Sequence, residues 1–467
     1  MAVAPTTIEV LAEELARALA PDRVSRSAAL REQHGGGETY IPSVPPDIVV
    51  FPTTIDEVVT VIGLARELGA PVIPHGAGTS VEGHVAAIHG GISVDMGRMN
   101  RILGFDLEAL DVSVEAGVTR MQLADHLGEY GVFFPVDPGA DATVGGMVAT
   151  GASGTTTVRY GSMRENVLSL RVVTAQGHVI TTASRARKSS AGYDLTRLFV
   201  GSEGTLGIVA EATLRVYGIP ESIAAATCSF PSVDAAVQAA INTVQLGIPI
   251  ARVELLDEVQ MEGIRRLCEL KQEPLPTLFL EFHGSEASVA EQAREVEGIA
   301  RELGGSDFTW SVQQEERTKL WEARHLAWEA AKALRPGCAG MSTDVCVPIS
   351  ELAECLRDVR EDIDASGLVA AIVGHVGDGN FHVVFLLDPD DPAEIRRAQH
   401  LHERMIRRAI AVGGTCTGEH GIGVGKTKFL ELEHGAESVA LMRALRDTFD
   451  PDGIMNPGKI FPEPTDG

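Results

Sequence analysis

Apolar residues in this chain follow two rhythms, and the balance between them changes near residue 220. In the first part, Ile55, Val58, Val59 and Ile62 recur at the three-and-four spacing of one helix face, which predicts a helix from Thr54 to Gly69. Thr54 and Glu57 stand where a capping box needs them, and Gly69 is the stop signal. Pro71-Val72-Ile73-Pro74 and the loop His75-Gly76-Ala77-Gly78-Thr79-Ser80 follow. Short alternating strands are predicted around 91–96, 101–106 and 111–116, then a helix from Thr119 to Tyr130. From Pro138 through Gly145, Gly146, Gly151 and Gly154 to Gly161 the chain is rich in glycine. Ser169–Ala175 and His178–Thr182 read as strands, and Gly201–Gly207 leads into a strand over Ile208–Val216.

After Pro220 longer helical runs dominate, at 232–246, 287–303, 313–334, 350–364 and 392–411. They alternate with strands near 224–229, 277–282, 306–312, 342–348, 368–374 and 381–387. This rhythm predicts a separate α+β unit, an antiparallel sheet with helices on one face. The C-terminal stretch returns to glycine-rich loops and ends in Asn456-Pro457-Gly458-Lys459.

The tightest turn signal lies in Gly374-His375-Val376-Gly377-Asp378-Gly379-Asn380-Phe381-His382. Asp378-Gly379 suits a two-residue type I′ hairpin, which needs positive φ at both central residues. That register pairs 375 with 382 and faces the two histidines across the ladder, with Cβ atoms about 4.5–5.5 Å apart. Such a pair suits one metal ion; a solvated polar pair on a hairpin is the plainer alternative. A second cluster, Gly413–Gly423, sets Glu419 beside His420 in backbone too glycine-rich to pack well as helix or strand. Glu419 would complete a His2Glu ligand set with an open coordination position, leaving His420 as a base. Otherwise Glu419 is a surface acid and His420 a turn residue.

Size and charge narrow the options. A chain of 467 residues exceeds one ordinary core, so two or three domains are expected. Apolar content of 44% against 22% charged marks a globular chain. A net charge of −26 argues against nucleic acid and against docking on anionic lipid, and it favours a basic protein partner. The six cysteines include no CxxC pair and no iron–sulfur spacing, and read as reduced thiols. The N-terminal stretch (Ile8, Leu11, Leu15, Leu19) is amphipathic without a basic n-region, so no signal peptide is evident. No apolar run approaches the ~20 residues of a membrane span. A cytoplasmic location is expected, with a peripheral position at the membrane as the other option.

Two glycine motifs mislead. Gly76-Ala77-Gly78 begins like a dinucleotide fingerprint, but the third glycine is missing and strands follow. The run up to Gly425-Lys426-Thr427 ends like a Walker A loop, but His420 replaces its first glycine. What remains is a set of separate glycine loops, whose exposed backbone N–H groups suit an extended pyrophosphate cofactor.

In their order along the chain, these segments resemble the flavoproteins of the vanillyl-alcohol oxidase/p-cresol methylhydroxylase (PCMH-type) superfamily. The resemblance is carried by Pro74–Ser80, residues 137–161, Gly201–Gly207, Trp321–Arg324, Thr343–Pro348, Gly374–His382, Thr417–Gly423 and Asn456–Lys459. Its nearest branch is that of the cytochrome-type D-lactate dehydrogenases, with D-2-hydroxyglutarate dehydrogenase and the FAD subunit of glycolate oxidase as relatives and alternatives. The resemblance implies an α+β fold with a two-subdomain FAD-binding domain at 1–218. A cap domain at 219–414 and a C-terminal segment at 415–467 returning to the FAD domain complete it.

It implies a flavin cradle of Pro74, His75, Gly76, Ala77, Gly78, Thr79, Ser80, Pro138, Gly139, Asp141, Thr143, Gly145, Gly146, Gly151, Ser153, Gly154, Tyr160, Gly161, Glu203, Gly204, Ile208 and Asn456. Thr79 stands where covalently flavinylated members often carry histidine, so a non-covalent FAD is expected. The reaction implied is oxidation of a D-2-hydroxy acid, with hydride to flavin N5. His375, His382 and Glu419 match the family's ligands for a divalent metal, zinc or manganese, and His420 matches its base. Asn380 matches a substrate-site residue, and Arg324 an arginine that holds the substrate carboxylate. Spacing alone places Trp321, Arg324 and Trp328 on one helix face, where an aromatic packing stripe is the plainer reading. Ser342 replaces a lysine of the dicarboxylate-specific relatives and Trp328 a small polar residue, which favours lactate or another monocarboxylate. Electrons would pass to a protein acceptor such as cytochrome c or to a quinone. The resemblance is also compatible with a homodimer.

Overall fold

The computed structural model describes residues 4–37, 41–268 and 273–462. Contacts divide the chain into two compact units. The first comprises Met1–Ser153, Gly161–Ile219 and Glu419–Gly467; the second comprises Gly154–Tyr160 and Pro220–Gly418. Residues 154–160, within the span 1–218 expected for the FAD-binding domain, are grouped with the second unit.

The first unit contains a sheet in the spatial order Val24–Ser25, Ile48–Val50, Ile92–Asp95, Val72–His75. Its last three strands run parallel. The helix Ile55–Glu67 packs Val58, Val61, Ile62 and Ala65 into the same core as Ile48, Val50, Ile92 and Val94. Leu11, Leu15 and Leu19 of the helix Pro5–Leu19 join that core. Thr54 caps the helix Ile55–Glu67 as expected, but the capping box is not closed. Glu57 turns instead to the backbone N–H of Thr53 (2.7 Å) and to Arg23, whose guanidinium is the stronger partner for a carboxylate. A second, antiparallel sheet orders Ile102–Asp106, Asp111–Glu115, Gly207–Arg215, Val167–Thr174 and Val179–Thr181.

The second unit is built on one antiparallel sheet. Its order is Ser306–Ser311, Ser222–Ser229, Thr277–Gly284, Ile250–Leu256, Val369–Gly374, Asn380–Leu387, Ala339–Ser342. The central strand Ile250–Leu256 and the helix Glu258–Leu267 behind it were not anticipated from the sequence. The predicted helix 313–334 is two helices, Gln314–His325 and Ala327–Ala333, because Leu326 leaves helical ψ (8°). Trp321 is buried at 6% exposure while Trp328 is 40% exposed, so the two do not share one packed face. The second segment is held by the helix Glu258–Leu267, where a Cβ on Gly263 would lie 2.5 Å from the Ala330 carbonyl oxygen. Only glycine allows that approach. Among the described residues, no helix is long and apolar enough to cross a membrane.

Candidate active site

The chemistry-bearing residues fall into two sets, one in each unit. In the second unit, the strands Val369–Gly374 and Asn380–Leu387 form the expected hairpin, but with a longer turn. Val373, not His375, is the partner of His382. The type I′ expectation fails because only Gly379 takes positive φ (80°); Asp378 does not. Tertiary contacts set this turn. Val347 N–H donates to the Gly379 carbonyl, and a Cβ on Gly379 would lie 2.1 Å from the Val347 carbonyl oxygen.

The two histidines nevertheless meet, with ring centroids 5.5 Å apart and planes at 82°. Each is oriented through Nδ1. His382 Nδ1 donates to the Thr343 carbonyl (2.9 Å), and His375 Nδ1 donates to Oε1 of Glu254 (2.6 Å). A histidine that donates through Nδ1 in this way presents Nε2 to a metal, as in metal-ligating histidines.

Glu254 has no exposed surface, and its other oxygen accepts from both Nε (3.0 Å) and Nη2 (2.7 Å) of Arg324. Burial alone would raise the Glu254 carboxyl, but the adjacent His375 and Arg324 outweigh it and hold it below the usual carboxylate range. One carboxylate therefore positions both the imidazole and the guanidinium. Sequence reading missed it: the alternation Ala251-Arg252-Val253-Glu254-Leu255 has strand spacing, yet its polar face is buried rather than solvated.

Asn380, expected at the substrate, spends its amide N–H groups on Asp344 (2.7 Å) and the Val345 carbonyl (2.8 Å). Its Oδ1 is buried without a hydrogen-bond partner. The other Asp344 oxygen accepts from Thr417 (2.7 Å), and a Cβ on Gly418 would lie 2.1 Å from Nδ2 of Asn380. The glycine-rich segment thus runs close against Asn380 up to Gly418, the last residue of this unit.

In the first unit, an open cleft with a cavity volume of about 190 Å³ is walled by Pro74, Gly76, Ala77, Gly78, Thr79 and Ser80. Pro138, Thr143, Gly146, Ser153, Glu203, Gly204 and Asn456 complete the expected part of its lining. An adjoining hollow of about 50 Å³ shares Pro74, Gly76, Thr143 and Gly146 and adds His75, Gly145 and Ile208. Gly76 is required there, because its Cβ would fall 2.2 Å from Oγ1 of Thr143. Space and glycine lining together fit an extended cofactor such as FAD.

Other residues expected at the cofactor stand outside these walls. Gly139 and Gly161 serve turns with positive φ, Asp141 accepts from Met121 N–H, and Gly151 ends the helix Val144–Thr150. Gly154 and Tyr160 belong to the second unit, where the Tyr160 hydroxyl meets Nδ1 of His283 (2.8 Å). Conversely, His84, Ala140, Met147 and Thr150 line the cleft without having been singled out.

Glu419 and His420 also line this cleft, and Glu419 accepts a 2.6 Å hydrogen bond from Ser153. Their loop is held by Glu203, whose carboxylate accepts from the N–H groups of Ile422 (2.7 Å) and Gly423 (2.9 Å). Burial opposes ionisation of Glu203, but His84 and these two N–H groups outweigh it and lower its pKa. Glu203 itself adopts left-handed backbone (φ 52°), an uncommon conformation for a residue with a side chain. Asn456 ties its carbonyl and that of His84 to the C-terminal segment.

The family model described as FAD binding domain matches residues 46–183, and that described as FAD linked oxidases, C-terminal domain, matches residues 219–460. The chain belongs to the FAD-linked oxidases. It is 50% identical to a Danio rerio protein named probable D-lactate dehydrogenase, mitochondrial, over 94% of this chain and 89% of that one. It is 47% identical to an Arabidopsis thaliana protein named D-lactate dehydrogenase (cytochrome), mitochondrial, over 89% of this chain and 74% of that one. The solved structure of p-cresol methylhydroxylase shares the fold, with a TM-score of 0.81 at 18% identity over 100% of this chain and 99% of that one. The protein is thus a PCMH-type FAD-dependent oxidoreductase.

Proposed function

We propose that the protein oxidises a D-2-hydroxy acid, D-lactate foremost, to the 2-oxo acid. The observation that carries this reading is the pairing of Arg324 and His375 through one buried carboxylate, Glu254. It couples a carboxylate-binding guanidinium to a metal-binding imidazole, as a 2-hydroxy acid with its adjacent carboxylate and hydroxyl requires. The D-lactate dehydrogenases at 47–50% identity support the same substrate.

Arg324 gives Nε and one Nη2 hydrogen to Glu254, and its outer Nη1–Nη2 edge holds the substrate carboxylate as a fork. His420 takes the hydroxyl proton as C2 loses its hydrogen with the bonding pair and the carbonyl forms. The glycine-lined cleft, with Gly76, Gly78, Gly146 and Gly204 in its wall, would hold FAD without a covalent link, and the flavin would supply the hydride acceptor. A divalent cation, zinc or manganese, would be held by His375, His382 and Glu419, and when bound supplies Lewis-acid polarisation of the hydroxyl oxygen. The Nδ1-anchored histidines fit that role. Glu419 is one peptide bond from Gly418, which is itself seated beside Asn380. Ser342 in place of lysine and Trp328 packed over Gly340 support a monocarboxylate over a dicarboxylate.

The net charge of −26 supports a basic electron acceptor such as cytochrome c, with a quinone as the other class. The six cysteines, without a CxxC pair, read as reduced thiols and support a reducing compartment. The test is an anaerobic substrate panel scored by bleaching of the flavin band. D-lactate should bleach it fastest, ahead of L-lactate, glycolate and D-2-hydroxyglutarate. Preferential bleaching by glycolate or by the dicarboxylate would replace D-lactate as the substrate.

A further inference from the structure

A second group of metal-ligating side chains lies wholly within the first unit. His75 ends the strand Val72–His75 and Asp95 ends the parallel strand Ile92–Asp95, and the two residues are partners in the register. His34 comes from the last turn of the helix Ala28–Gly35. One ligand atom from each residue lies within 4.8 Å of the other two.

The orientation of each side chain is fixed. His34 Nδ1 donates to the Leu30 carbonyl (2.7 Å), which directs Nε2 toward Oδ2 of Asp95 at 2.9 Å. The other Asp95 oxygen accepts from Gly97 N–H (2.8 Å). The His75 ring centroid is 4.4 Å from that of His34. His75 is only 7% exposed, and among the described residues neither of its nitrogens has a side-chain hydrogen-bond partner; only the Gly76 backbone bears on the ring.

An ion pair between His34 and Asp95 satisfies those two residues and leaves His75, which also borders the hollow beside the cofactor cleft, without a side-chain partner among the described residues. A buried polar group without a partner costs about 1–3 kcal/mol, so an orphaned imidazole beside a carboxylate and a second imidazole calls for a ligand.

We propose that His34, His75 and Asp95 form a second divalent-cation site, zinc foremost, distinct from the set at His375, His382 and Glu419. Two imidazole nitrogens and one carboxylate oxygen are a zinc ligand set, with water in the fourth position. Tetrahedral geometry asks His34 Nε2 and Asp95 to separate to about 3.3 Å, a movement of a few tenths of an ångström. The cation replaces the proton shared by that pair, so binding releases about one proton. The site would clamp the helix Ala28–Gly35 to the base of the 76–80 loop. The backbones already touch there: a Cβ on Gly37 would lie 2.3 Å from the Gly78 carbonyl oxygen.

The test is metal counting on the FAD-loaded protein after equilibration with zinc and desalting. Wild type should hold two equivalents, the double variant His375→Ala/His382→Ala one, and His34→Gln one. The count falls by one in His34→Gln whether or not the first site is real, so the two assignments fail separately. Should His34→Gln not fold, zinc titration of metal-depleted wild type keeps the question open to measurement. Uptake in the His375→Ala/His382→Ala protein, with release of about one proton per zinc in buffers of differing ionisation enthalpy, supports the site. Unchanged zinc content in His34→Gln, or no uptake by the His375→Ala/His382→Ala protein, overturns it and leaves the trio as a proton-held structural pair.

Discussion

Nδ1 of His375 and Oε1 of Glu254, 121 positions apart in the chain, are joined by a 2.6 Å hydrogen bond inside the second unit. The bond sets the tautomer of a proposed metal ligand. The other Glu254 oxygen anchors the proposed substrate arginine. Glu254→Gln retains the shape but lacks the charge that both partners use. It should weaken metal affinity by roughly 10–100-fold, the usual effect of losing such a supporting carboxylate, and raise KM for D-lactate. Metal titration and kinetics on one preparation check this. Wild-type values for both would reduce Glu254 to a buried structural ion.

Metal removal should separate the two sets of residues. A chelator should abolish turnover while FAD stays bound, because of the three proposed ligands only Glu419 lines the glycine-lined cleft, where a 2.6 Å bond from Ser153 holds it. Activity and flavin absorbance are read before and after chelation, with zinc or manganese added back. Full turnover in metal-free protein would remove the cation from the mechanism.

His420→Ala should lower kcat by about 10²–10⁴, the contribution of a positioned base. FAD content should be retained, since Glu203 holds the loop through the backbone at 422 and 423 rather than through the imidazole. Metal content should also stay near wild type. Loss of metal in this variant would exchange the roles of Glu419 and His420.

Arg324→Lys keeps the charge but loses the fork, so both the bond pair to Glu254 and the carboxylate grip are broken. KM for D-lactate should rise and kcat should fall, because small misplacements of C2 slow hydride transfer. A packing role instead predicts a lower melting temperature with near-normal kinetics in the folded fraction. The two measurements on one sample decide between them.

Asp257 caps the helix Glu258–Leu267 by accepting from Gln260 N–H (2.7 Å) and is fully buried. Burial raises its pKa from 3.8 to about 7. A raised folded-state pKa means that the stability it permits is fully present below about pH 4 and is lost as pH rises through about 7. Asp257→Asn keeps a capping oxygen without the titration. The variant, which also loses the pairing of Asp257 with Arg360 (3.5 Å), should gain on wild type steadily between pH 4 and pH 7, by a total on the order of 1–4 kcal/mol. Denaturant melts at several pH values test this, and a constant difference across that range would refute a buried titrating Asp257.

Local pattern specified a good deal of this protein. Val58 and Ile62 of the helix Ile55–Glu67, the helix at Pro392–Ala411 and the glycine loops follow from short-range spacing, whereas the expected face residues Ile55 and Val59 gave way to Val61 and Ala65 in the core; His375, His382, Arg324, Glu419 and His420 are candidates by motif order. These are properties of the backbone period and of residue chemistry, which neighbours in sequence carry. Three features needed the folded chain. The turn before His382 took its register from Val347, not from Asp378-Gly379. Residues 154–160 joined the second unit because Arg159 and Tyr160 bond to Pro249 and His283. Glu254 became the shared anchor of Arg324 and His375 only because its strand lies at the centre of the sheet, where a polar residue must find its partners inside the protein. The sequence period says which residues share a strand face. Whether that face meets water or other side chains from distant segments is decided by tertiary packing, because burial and hydrogen-bond satisfaction depend on everything around the residue rather than on its neighbours in the chain.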